Sequence, residues 1–359
     1  MAKSSASKSP QSAPKSAPKA EPYKSKEQAF TQENFEKELQ ALKAKAQDET
    51  WYKWAEEQTF ILIQSAMLLS LAAVYSNISQ LTLSPVYGAI PASVWHSKGV
   101  MTASFLGWAS NLFIRRNLPV KPLQLIPLIA AYIPMMQYFL FKFSEEMGGT
   151  YGPLITETLT FFPLLLLSVS CTATILDDLE LSDGRYALLS ESMPGLVSYV
   201  FYKAMEFVSE NTIQKDIGSS FIQTRLGLQI LLAALYSTFA PSKLLIFSIP
   251  AIVHTAFFNI HVPSNYMTTS LNSTLINRGW SILERHESLT GYISILESAK
   301  QGFRVMRCDH SLLGGEWLAT ATRNHITEPI YGIFVMLEAV RLVETPEPII
   351  DELAKALVV

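Results

Sequence analysis

The sequence predicts a membrane α-helical bundle of about six spans, followed by a small C-terminal α+β region with a β-hairpin. Three observations carry that expectation. Of 359 residues, 49% are hydrophobic and only 16% are charged, and the mean hydropathy is +0.20, which is apolar for a chain that folds in water. The charges are also clustered: after Glu57 the next is Lys98, and charge-free runs recur at 122–141, 158–176, 226–242 and 244–277. Runs of that length suit a bilayer core, which a helix of ~20 residues crosses. Beyond about residue 265 the pattern shifts to short runs rich in β-type residues.

Residues 1–26 hold prolines at 10, 14, 18 and 22, six lysines and the single acid Glu21. Such a stretch cannot bury enough apolar surface to offset its ordering entropy, so it reads as a disordered basic tail. It has neither the apolar core of a secretory signal nor the arginines of a mitochondrial presequence. From Gln28 to Glu57 a polar helix is expected, with Phe35, Leu39 and Leu42 on one face and Trp51, Tyr52 and Trp54 placed for a membrane interface. The first domain is therefore 1–57, a tail and a juxtamembrane helix.

The second domain, 58–265, is read as the multi-span part. Spans are expected at about 59–81, 98–114, 123–141, 158–176, 226–241 and 244–262, and 194–209, carrying Lys203 and Glu206, as an interfacial or re-entrant helix. The basic tail and the Arg115, Arg116 and Lys121 cluster both belong on the cytosolic side, which gives an integral, multi-pass protein with a cytosolic N-terminus. The lipid bilayer is then the first expected partner.

In the third domain, 266–359, residues 269–287 read as a short helix or linker. Tyr292–Glu297 and Phe303–Cys308 form a hairpin around Ser298–Gly302, and Asp309–Gly315 is a turn-rich stretch. An apolar helix is expected over 328–343, and 354–359 opens a buried strand.

The net charge of −3 and pI near 6.1 supply no basic field, so nucleic acid is excluded as a partner. Cys171 and Cys308 match neither a disulfide framework nor a zinc spacing. The acids Asp177, Asp178, Glu180 and Asp183 fit no calcium-loop spacing. His254 and His261 would lie about 10.5 Å apart along a helix, too far for one ion. No metal is expected. Glu157 and Arg225 each open a span, where an ionisable side chain snorkels to the interface.

The segment from Arg285 to Glu297, then Phe303 to Trp317, then Glu328-Pro-Ile-Tyr331 resembles the spermidine/spermine synthase family, in its membrane-anchored, fungal-type form. The resemblance implies a β-rich N-terminal domain before a Rossmann-like domain that transfers an aminopropyl group to a polyamine. It places Asp309 at the family's Asp-containing turn, and Glu328 and Tyr331 at its Glu-x-x-Tyr, as substrate-binding residues. Gly291, Leu313 and Gly332 stand where the family has polar residues. The glycine-rich loop and catalytic aspartates that the family carries after the 356–359 strand have no counterpart here.

The resemblance thus implies the membrane-anchored part of a polyamine aminopropyltransferase, truncated before its nucleotide-binding half and inactive alone. No residue of the chain is expected to be catalytic. Decarboxylated S-adenosylmethionine or S-adenosylmethionine would bind only through a downstream domain, and a polyamine and a second copy, docked through the β-rich region, are the other partners implied. A non-catalytic multi-span transporter-like or docking protein is the alternative, suggested by prolines at 119, 122, 127, 134, 153 and 163.

Overall fold

A computed structural model describes residues 32–179, 187–262, 264–309, 311–318 and 328–329. The expected tail at 1–26, most of the 328–343 helix and the strand at 354–359 lie outside them. The chain divides into two units, Met1–Glu56 and Glu57–Val359, and the helical core and the sheet both belong to the second.

Helices come first: α1 (Gln32–Tyr87), α2 (Ala89–Ala109), α3 (Asn111–Asn117), α4 (Pro122–Phe141), α5 (Ser144–Leu159), α6 (Phe161–Leu176), α7 (Ala187–Asp216), α8 (Arg225–Phe239), α9 (Ile249–Phe257) and α10 (Asn265–Ile276). The stops are written in the sequence. Pro85 sits in the last turn of α1, and Gly88 at φ +92° ends it, donating its N–H to Ser84 O at 2.9 Å; glycine takes that left-handed backbone without a Cβ clash. Pro122 opens α4, where its missing N–H costs nothing. Thr224 and Ser264 cap α8 and α10 by accepting the N–H of Gly227 and Met267.

The expected six spans are not found. Among the described residues two helices are long and apolar enough to cross a membrane, within α1 and α4, or three if the pair α5 and α6, bent by 43°, is taken as one. The reason is local. The run at 98–114 is cut between α2 and α3, α8 has 15 residues, and the 244–262 run divides into a 3-10 turn at Lys243–Ser248 and the nine-residue α9. The 194–209 stretch is the middle of the 30-residue α7, and the juxtamembrane helix runs unbroken into the first apolar run as α1. Two or three such helices among the described residues do not make the expected integral, multi-pass bundle of six.

The helical core joins Leu68, Ala72 and Tyr75 of α1 to Val100 of α2, Ile126 of α4 and Leu164 of α6. Small residues set the spacing: a Cβ on Gly99 of α2 would overlap the Phe162 ring, and one on Gly107 would lie 2.6 Å from Leu166 O. Through this core runs a polar seam. Ser76 of α1 donates to Glu206 of α7 at 2.7 Å and meets His96 Nε2 of α2 at 2.8 Å. His96 Nδ1 lies 2.6 Å from Glu157 Oε1 of α5, which also accepts from Ser79 at 2.9 Å. Glu157 is fully buried and does not snorkel, because these partners hold its carboxylate inside.

The sheet is a meander of antiparallel neighbours, β1 (Ser281–Ser288), β2 (Gly291–Ser298), β3 (Phe303–Cys308), β4 (Ser311–Trp317) and the two-residue β5 (Glu328–Pro329). The hairpin read from the sequence is β2 and β3, joined through Gly302 at φ +74°. The short helix or linker read at 269–287 is a helix in its first part, α10; two stretches differ from expectation, since residues 281–287 belong to β1 and the turn-rich stretch after Asp309 is mostly β4. Arg304 on β3 bridges Glu297 and Glu316 on its flanking strands at 2.8 and 3.0 Å, a cross-strand pairing of the kind that fixes register.

Candidate functional site

Where α4 and α8 meet the sheet, a cleft of about 440 Å³ opens. Two larger cavities, about 640 and 680 Å³, are walled by apolar side chains such as Leu69, Phe105 and Leu125. The cleft differs in chemistry: Lys142, Arg225, Arg285, Arg307, His261 and Asp309 all line it.

The deepest of these is Arg225, 2% exposed. Its Nη1 lies 3.0 Å from Glu287 Oε1 on β1, and the same oxygen accepts the Arg225 backbone N–H at 2.6 Å. Arg225 Nη2 donates to Leu289 O at 3.1 Å and Nε to Leu81 O at 2.7 Å. The last bond has a cause in α1. Leu81 O would ordinarily accept from residue 85, and Pro85 has no N–H, so the guanidinium fills the vacancy. Pro134 of α4 repeats the device: it frees Ala130 O, and Tyr75 OH donates to that oxygen at 3.3 Å. Arg225 thereby ties α1, α8 and β1 together; the expectation that it snorkels is wrong because its partners lie inside. Burial holds the Glu287 carboxyl above its usual range, and Arg225 pulls it back.

Arg285 of β1 directs its donors to neutral acceptors: Thr268 Oγ1 at 2.9 Å, Ile260 O at 2.7 Å and Val262 O at 2.5 Å. Burial lowers its pKa. Beside it His261 is held neutral, its pKa lowered to about 4 by burial and by Arg285. Lys142 lies over the Tyr138 ring, 4.4 Å from its centre. On the floor, Gln229 Nε2 donates to Gln137 Oε1 at 2.7 Å, while Gln137 Nε2 and Gln229 Oε1, both buried, meet no partner among the described residues.

Of the residues singled out by resemblance, Asp309 lines this cleft. It stands at φ +51°, its Oδ1 accepts the Tyr292 N–H at 2.7 Å, and its own N–H donates to Tyr292 O at 2.9 Å. A Cβ at residue 291 would overlap Asp309 Oδ2, so this turn needs Gly291 at φ +151°. Glu328 is in β5, opposite Trp317, and Tyr331 lies outside the described residues. Among the described residues no three of His, Cys, Asp or Glu are grouped to hold a metal ion. The sequence reading missed Arg285, His261, Gln137 and Gln229 as partners. The available signal was a set of polar residues inside otherwise apolar runs, Gln137 and Gln229 above all.

The chain is 41% identical, over 312 residues and 85% of its length, to an N-terminal histidine N-methyltransferase of Emericella nidulans, of which it spans 56%. No family model and no solved structure matches it. This similarity overturns the resemblance to spermidine/spermine synthases, and with it polyamine biosynthesis, aminopropyl transfer and the transporter-like or docking alternative. A motif resemblance over 285–331 gives way to identity over most of the chain. Asp309, one of the positions that carried it, is also explained by a strand end that any meander of this shape could use.

Proposed function

We propose that the chain is part of an S-adenosylmethionine-dependent methyltransferase that acts on the amino-terminal histidine of a polypeptide. The observation that carries this reading is the 41% identity over 85% of the chain, too long a match to be confined to the helices or to the sheet. The chain spans about half the length of that relative.

The described residues do not fit the methyl donor. Nucleotide-bearing cofactors are held by backbone N–H groups at a glycine turn between a strand and the N-terminus of a helix. The strands here are antiparallel neighbours without helical crossovers, and Gly314 and Gly315 lie inside a paired strand, opposite Met306 and Val305. The described residues act as the framework, in which the Arg225–Glu287 pair fixes the sheet against the helices.

The test uses protein isolated from its native source, methyl-labelled S-adenosylmethionine and two peptides of one composition, with histidine first or second. Label is expected on the histidine-first peptide alone. Label on both alike, or on neither, refutes the reading.

A further inference from the structure

The geometry points to the cleft between α4, α8 and the sheet as a binding site for a phosphate group, carried by a free metabolite or by a lipid headgroup. Nothing in this assignment depends on methyl transfer.

The first observation is charge without counter-charge. Among the described residues Lys142, Arg285 and Arg307 have no carboxylate within 4.0 Å, whereas Arg225 in the same lining does. The described lining holds one carboxylate, Asp309, whose Oδ1 is engaged by the Tyr292 N–H. Cations gathered in a partly enclosed, low-dielectric cleft focus a positive potential that only an anion relieves. That field registers on both neighbouring histidines, since Arg285 helps to hold His261 neutral and Lys142 pushes His254 in the same direction.

The second observation is independent of charge. Gln137 is 1% exposed and Gln229 is fully buried, both line the cleft, and their single mutual bond leaves one N–H donor and one carbonyl acceptor unused. Exchanging O and N in both amides leaves the same complement, one donor and one acceptor. Buried polar atoms in folded proteins meet partners, and a phosphate monoester offers both kinds, oxygens to accept and, when protonated, a hydroxyl to donate. Arginine forks and a lysine point charge suit a phosphate. The aromatic side chains of Tyr138, Phe141 and Tyr292 line the space that remains for an organic body, and about 440 Å³ lies within the range of small-molecule sites.

The experiment titrates the full chain with inorganic phosphate, glycerol 3-phosphate and monomeric short-chain phosphatidic acid, each against chloride at equal ionic strength, with heat of binding and melting temperature as readouts. Binding of the water-soluble phosphates supports a metabolite. Binding of the lipid phosphate alone supports a headgroup. No binding above the chloride control in any arm overturns the proposal. Lys142→Met and Arg307→Met are each expected to weaken binding by about tenfold, the worth of one charge-assisted contact, and Gln137→Leu to weaken it as well. Arg307 is not ion-paired among the described residues, so Arg307→Met should melt no lower than the parent when ligand is absent, whereas Lys142→Met also loses its contact with the Tyr138 ring. Unchanged affinity in both charge variants, or a lower melting temperature with affinity retained, would show that the cations serve the fold and not a ligand.

Discussion

Arg225→Met, made in the parent and again in a Pro85→Ala background, tests whether a proline in α1 is the reason an arginine is buried 140 residues later. In the parent the substitution removes three side-chain bonds, to Leu81 O, Leu289 O and Glu287 Oε1. It leaves the Glu287 carboxylate with the backbone N–H of residue 225 alone. Breaking a buried ion pair from one side costs about 3–5 kcal/mol. Part of that cost is the orphaned Leu81 carbonyl, about 1–3 kcal/mol for an unsatisfied buried acceptor. With alanine at 85 the helix has its N–H back, and Leu81 O accepts from it in the ordinary i to i+4 way. The same Arg225→Met change should then cost about 1–3 kcal/mol less. The chain-entropy part of Pro85→Ala cancels in the cycle, and what remains is the restored bond, which is worth more where Arg225 no longer covers Leu81 O. Urea denaturation of the four proteins gives the coupling directly. Costs for Arg225→Met that agree within about 0.5 kcal/mol in the two backgrounds would refute the idea that Pro85 creates the site Arg225 fills.

Further expectations rest on the same energetics of buried bonds. Tyr75→Phe, which removes the longer 3.3 Å bond to Ala130 O, should cost about 0.5–1.5 kcal/mol in the parent and nearly nothing beside Pro134→Ala; equal costs by urea denaturation would count against it. His96→Leu strands the buried Glu157 and should cost about 3–5 kcal/mol, whereas His96→Leu with Glu157→Leu should cost less; a double variant that is worse than the single one would show that packing, not charge, holds the seam. For His261 the folded pKa is lowered from 6.5 to about 4, so between those values the unfolded chain binds the proton and the native one does not. Stability should therefore fall as pH drops from 6.5 towards 4, by up to about 3 kcal/mol from this group, and His261→Gln should flatten the melting profile over that window. An unchanged slope would place the pH dependence elsewhere.

Much of the secondary structure was legible because it is written locally. The hairpin at 291–308 has its alternation and its Gly302 in the sequence, and the helices over 59–176 track their apolar runs and their prolines. The partners those runs face were not legible. An apolar run of 20 residues predicts a bilayer crossing only if it continues as one helix, and the 98–114 and 244–262 runs are divided. Inside the first run nothing in the sequence sets Ser76, Asn77 and Ser79 apart. In the structure all three are buried and bonded to α2, α5 and α7.

β1 shows why charge misleads most at the places that hold the fold together. Its sequence, Ser281-Ile-Leu-Glu-Arg-His-Glu-Ser288, falls largely in the stretch read as a short helix or linker, and two apolar residues stand ahead of a polar run. The structure inverts that polarity: Leu283 is 50% exposed and Glu287 is 2% exposed. The pairing register slips between Ile282 and Glu284, so Leu283 is the extra residue of a bulge and turns out of the ladder. Glu287 turns in because Arg225, 62 residues earlier in the chain, waits there with its backbone and side-chain N–H groups. A window of sequence around β1 contains none of the cause. The cause is the proline in α1 that frees a carbonyl, the arginine on α8 drawn to it, and the charge on that arginine, which requires a buried carboxylate on whichever strand packs beside it.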